Sequence, residues 1–134
     1  MDWHSWVAFV AGLVLASLAD WLFAGVLFHD RNQAHPEVWR FNGPNVKALL
    51  AAQALTIPTA LGLVALMQWT GRTSLLSAMT IASLVWGIAA APAIIANGIY
   101  IKLHPYVVAS HTIGWLVKLL LVAASASLIL SYGR

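Results

Sequence analysis

Three ionisable side chains sit where an apolar chain has no ordinary use for them. Asp20 interrupts the run from Trp6 to Phe28, and Lys118 interrupts the run from Val107 to Leu130. His111 lies seven residues before Lys118, so the two share one helical face with Trp115 between them. If both runs cross a membrane, one anion and one cation lie in hydrocarbon, where each costs about 2.5–3.5 kcal/mol at mid-helix. The Leu, Val and Ile residues of the last run, each contributing about −0.3 to −0.6 kcal/mol, still insert it. Keeping the charge afterwards calls for a partner, because an unpaired buried ion usually neutralises instead. A lysine stem reaches about one turn, toward Asp20 or toward water. Three arrangements are open at this point. The first is a packing device that selects which helices associate. The second is a functional pair in a wet cavity, with His111 relaying protons. In the third, the two charges never meet.

The rest of the chain says where such a pair would sit. Of its 134 residues, 61% are hydrophobic and only 8% charged, with a mean hydropathy of +0.83. Soluble domains carry about a quarter charged residues, and so short a chain cannot bury this much apolar surface in a core of its own. The composition therefore predicts an all-α integral membrane protein whose first partner is the lipid bilayer. Without cysteine there is no disulfide framework, thiolate ligand or Cys nucleophile. The formal charge of +3 comes from scattered groups, with no basic cluster pointing to nucleic acid.

Four segments have the roughly 20 apolar residues a crossing helix needs. They run over about 6–28, 46–69, 75–101 and 106–132, joined by a long loop at 29–45 and two short connections. Short connections make neighbours antiparallel, so a single up-down four-helix bundle is predicted, with the fourth helix beside the first. Ser17-Leu18-Ala19 has the small-residue spacing of a signal-peptidase site. The first run nevertheless lacks a basic start and continues past Asp20, so it reads as a retained span. Trp3, Trp6, Trp69 and Tyr132 would mark one interface, and Trp39, Phe41, Tyr100 and Tyr106 the other. Arg31, Arg40, Lys47 and Lys102 fall on the long-loop side, against Arg72, Arg134 and the amino terminus opposite. The positive-inside rule then places loop 29–45 in the cytoplasm, with dual topology as the alternative. Pro58 and Pro92 lie inside the second and third helices and would free the carbonyls of Ala54 and Ile88, giving either plain kinks or gating hinges.

At about 1.5 Å per residue, Asn97 lies roughly 6 Å below the long-loop face, His111 8 Å, Gln53 10 Å, Asp20 12 Å and Lys118 18 Å. All four helices thus contribute to one polar layer in one half of the bilayer. The other half offers only small hydroxyls such as Ser77, Thr80, Ser125 and Ser127. A lopsided interior is the expectation, with Trp86 and Trp115 as packing or gating residues beside it. His29, His35 and Glu37 in the loop match no defined zinc spacing and read as solvated interfacial residues. Val38-Trp39-Arg40-Phe41 reads as an interfacial anchor. No nucleotide loop, nucleophile elbow or His-Glu-x-x-His motif is present, so no cofactor or metal is implied and the reading leans away from an enzyme.

The stretch Ala19-Asp20-Trp21-Leu22-Phe23-Ala24-Gly25-Val26-Leu27-Phe28, the Trp-bearing loop, Trp86-Gly87 and Ser110-His111-Thr112-Ile113-Gly114-Trp115 together resemble one family. It consists of small bacterial four-span membrane proteins grouped as a domain of unknown function. The resemblance runs through most of the chain on loose aromatic-glycine patterns. It implies a four-helix bacterial membrane protein and no particular activity. The polar layer itself suggests a small transporter or channel-like protein for a proton, an ion or a small polar solute. Four short helices enclose little, so a homo-oligomer is expected. A structural or assembly subunit is the alternative. A lipid-modifying enzyme using Asp20, His111 and Lys118 as acid–base groups ranks last.

Overall fold

The computed structural model describes residues 2–34, 36–38 and 45–132. The described residues form an all-α four-helix bundle whose four spans, Trp3–Leu27, Val46–Trp69, Leu75–Tyr100 and Pro105–Tyr132, are long and apolar enough to cross a membrane. Its helices are α1 (Trp3–Asp20), α2 (His29–Gln33), α3 (Val46–Ala54), α4 (Thr56–Trp69), α5 (Leu75–Val85), α6 (Ala91–Tyr100) and α7 (Pro105–Tyr132). The bounds agree with the sequence within a residue or two, except that the first span starts three residues early. Asp2 explains that start: its carboxylate caps α1 by accepting from the Ser5 amide at 2.9 Å.

Three spans are interrupted, each in its own way. The second breaks at Leu55, three residues before Pro58, and the Thr59 hydroxyl donates to the Leu55 carbonyl at 3.2 Å. In the third, a π-helical turn at Trp86–Ala90 precedes Pro92, and the Ala91 amide donates to the Trp86 carbonyl five residues back. The extra residue in that turn lets the backbone pass the proline ring without ending the span. The first span is π-helical over Trp21–Leu27, directly after Asp20, although no proline is there.

The fourth span is central. α7 packs along α1 over most of its length, and also against α5, α6 and α4, whereas α4 and α5 touch little beyond their connecting turn. Gly71, at φ +66°, makes that turn in the left-handed region where glycine is at no disadvantage. α1 presents Ser5, Ala8, Gly12, Ala16 and Ala19, all buried, at spacings of three and four. Between membrane helices the lipid offers no hydrophobic drive, so close van der Waals contact does the work, and small residues permit it. Val122 of α7 meets Gly12, and Leu119, Ala123, Ala126 and Leu130 of α7 join it in the buried core. Gly98 serves the same purpose at the other end, where a Cβ would lie 2.5 Å from a Val108 methyl.

Candidate functional site

The seam between α1 and α7 carries the two charges. Lys118 Nζ lies 2.7 Å from Asp20 Oδ1, a direct ion pair between the first and last spans. The lysine side chain is only 6% exposed while the aspartate is 31% exposed, so the cation is sealed and the anion is reachable. The same ammonium sits 4.4 Å from the centre of the Trp115 ring, a cation–π contact one turn back along α7. Small residues make room for this arrangement. Ala16 and Ala19 are buried on the α1 side, and Gly114 lets the Phe23 ring come within 3.5 Å of where its Cβ would be. The Phe23 ring stacks in turn on Phe28, at 6.1 Å between centroids. The π-helical turn after Asp20 thus places Phe23 against Gly114 of α7 and, just past its end, Phe28 on Phe23.

The other residues of the expected polar layer divide. Gln53 approaches the pair's helix: its side-chain oxygen accepts from the Ser17 hydroxyl at 2.9 Å, one turn before Asp20. His111 is exposed on α7, within electrostatic range of both Asp20 and Lys118. Asn97 does not join them; it is exposed on α6, away from the α1–α7 seam. Trp86 ties the third span to the fourth by donating from Nε1 to the Thr112 carbonyl at 2.8 Å. Thr112 returns its hydroxyl to the Val108 carbonyl at 2.7 Å. Pro58 and Pro92 are both exposed. In the loop, His29 lies 2.9 Å from the Gln33 amide nitrogen, while His35 and the anchor residues Trp39, Arg40 and Phe41 lie outside the described residues.

No protein-family model, curated protein or solved structure matches this chain. Its function has to be read from the side chains themselves.

Expectation and structure part over the turn-side half of the bundle. Instead of hydroxyls alone, it holds a relay in which the Gln68 amide donates to the Ser5 hydroxyl and Ser5 donates to the Asp2 carboxylate. Ser5 is fully buried there. Nearby, the Ser127 hydroxyl donates to the Thr73 carbonyl at 2.7 Å. The interior is therefore polar at both ends, and the lopsided interior is corrected. Gln68 was the available signal, but it stands at the span end beside Trp69, where a polar interfacial side chain is ordinary.

The Ser5 hydroxyl and, secondarily, the Ser5 amide hold the Asp2 carboxyl below its ordinary value of 3.8. A depressed acid contributes stability above its unfolded value, and that contribution fades as pH falls through the folded one. Acidification below about pH 4 is thus expected to loosen the first turn of α1, read as faster amide exchange at Ser5 and Trp6 relative to the helix interior. Asp2→Asn caps without titrating, so it should abolish the pH dependence. An identical acid response in Asp2→Asn would show that the cap is not the cause.

The structure also has a cleft of about 470 Å³ between the second and third spans. Trp115 and Leu119 of α7 floor it, Thr59 and Gly62 form one wall, and Ala89 and Ala93 the other. Trp115 therefore both lines the cleft and lies under the Lys118 ammonium.

Proposed function

We propose that this protein is a small transporter or channel-like protein of the bacterial inner membrane, handling a proton, an inorganic ion or a small polar solute. The uneven burial of the ion pair carries this reading: Lys118 is sealed, Asp20 is a third exposed, and an exposed imidazole lies within their field. A proton or cation arriving at the carboxylate would compete with the ammonium for it. The displaced Lys118 would still have the Trp115 face, worth roughly 0.5–2 kcal/mol as a cation–π contact. The displaced ammonium would thus be partly compensated, giving the site a second state a few kcal/mol above the paired one. Four short helices enclose little, so a second copy in a homo-oligomer would complete a polar path beside the pair. Loop 29–45 is assigned to the cytoplasm by its basic residues.

A structural or assembly role is the second reading, favoured by the position of the pair on the most extensive helix contact in the bundle. Flux separates the two. Wild type and Asp20→Asn/Lys118→Met are reconstituted into liposomes holding a pH-sensitive dye, and a pH or potassium gradient is imposed. Transport predicts that wild type passes protons or ions above empty vesicles and that the folded double variant does not. Equal flux in wild type and double variant, or none above background in wild type, would overturn it.

A further inference from the structure

The cleft between the second and third spans has no part in the charge-pair chemistry, yet its shape and level in the bundle are specific. The two spans are held together at the Gly71 turn and diverge toward the long-loop side, where α3 is exposed along most of its length. The opening is therefore sideways, into the hydrocarbon, and upward, toward the loop-side interface. Its walls offer almost nothing to hydrogen-bond: the Thr59 hydroxyl is already committed to the Leu55 carbonyl. An apolar space of this kind excludes water. At about 470 Å³ it falls in the size range of small-molecule sites.

Polar groups wait at the open end. Asn97 lies four residues beyond Ala93 on α6, hence on the same face and one turn nearer the loop-side interface. Its exposed amide continues the line of the cleft wall, and it is the polar-layer residue that the ion pair leaves out. Lys102, also exposed, lies two residues past the end of α6, toward the loop-side interface. From Val85 to Asn97 the wall is about 18 Å long at 1.5 Å per residue, close to half of a ~30 Å hydrocarbon core. One leaflet's acyl depth, an amide near ester level and, past the end of the helix, a cation at headgroup level thus follow one another along the chain.

We propose that this cleft holds one acyl chain of an anionic phospholipid from the loop-side leaflet, with Asn97 donating to its ester or glycerol oxygens and Lys102 facing its phosphate. The small residues Gly62, Ala89 and Ala93 leave the volume for the chain, and the Trp115 ring forms its floor. Because the Lys118 ammonium also lies over that ring, the lipid would share the Trp115 side chain with the ion pair. The proposal stands whether or not the pair conducts.

The test uses the whole chain reconstituted in vesicles of equal phosphatidylglycerol and phosphatidylcholine, extracted in mild detergent and weighed by native mass spectrometry. Wild type is expected to keep one phospholipid, phosphatidylglycerol in preference to phosphatidylcholine. Gly62→Phe points its ring into the cleft, and because a Cβ at Gly62 meets nothing within 4 Å the fold should accept it. This variant should lose the retained lipid of both kinds with its helical circular dichroism unchanged. Lys102→Gln should keep a lipid but lose the preference. Should Gly62→Phe misfold, Ala93→Leu fills the cleft from the opposite wall and decides in its place. Wild type that keeps no lipid, or a folded cleft-filling variant that keeps as much as wild type, overturns the proposal. Retention of both lipids in equal measure by wild type overturns the headgroup assignment.

Discussion

Asp20→Asn is expected to destabilise the protein by about 3–5 kcal/mol, the range for removing one partner of a buried ion pair. Lys118→Met should cost less, and Asp20→Asn/Lys118→Met should recover most of the loss. The asymmetry follows from burial. Taking away the carboxylate leaves an ammonium that is 6% exposed with only the Trp115 face nearby, so its desolvation goes uncompensated. Taking away the ammonium leaves a carboxylate that is 31% exposed and so less tightly enclosed than the lysine. Because one partner is only partly enclosed, the coupling should lie nearer the lower end of the range. Methionine fills much of the lysine's volume and can pack on the Trp115 ring, so the double variant replaces a salt bridge with apolar contact. Unfolding of the purified chain and its three variants by denaturant titration in micelles gives the cycle directly. A pair that merely decorates the surface would give three costs all under about 1 kcal/mol. In that event, neither the packing nor the transport role of the pair survives.

The spans and the two residues of the pair, though not their meeting, were legible in the sequence for one reason: both involve large energies. About twenty apolar residues between breakers fix a crossing helix, and a charge inside one is so costly that a partner is expected. Depth counting placed Asp20 and Lys118 about one turn apart, and a lysine stem covers that distance. Finer features depend on small energies. Nothing in Trp21-Leu22-Phe23 announces a π-helical turn, because the extra residue is accommodated by the packing of Phe23 on Gly114 rather than by local preference. Pro58 and Pro92 announced a disturbance but not its form, a break in one span and a wide turn in the other. Asn97 was placed by depth alone, and its face turned out to be unrelated to the pair: in an apolar helix flanked by lipid, depth follows from counting, whereas facing follows from neighbours. The Gln68–Ser5–Asp2 relay escaped because its members lie at span ends, where polar residues are ordinary. The centrality of α7 was hidden too, since an up-down order gives every helix two neighbours and this bundle gives the last span three.

Gly12→Leu is the other substitution with a large expected effect, because it attacks the seam that brings the two charges together. Gly12 is buried against α7, and a Cβ there would already lie 3.0 Å from a Val122 methyl. An alanine could be met by a shift of a few tenths of an ångström; a leucine has nowhere to go unless α1 and α7 move apart. Overpacking of this kind costs roughly 1–3 kcal/mol in soluble cores. Here the penalty should fall at the upper end, because membrane helices associate through close contact with no hydrophobic gain to offset its loss. The ion pair lies about two turns away along the same seam, so separating the helices also stretches its 2.7 Å contact. The expected signature is therefore double: lower stability in micelles, and a smaller Asp20–Lys118 coupling when the cycle is repeated in the Gly12→Leu background. Gly87→Leu supplies the control, since the same side chain added at an exposed position where a Cβ meets nothing should leave both quantities near wild type. If Gly12→Leu matches Gly87→Leu, the first and last spans are not packed face to face through Gly12 and Val122. The ion pair would then need some other contact to hold its two helices in register.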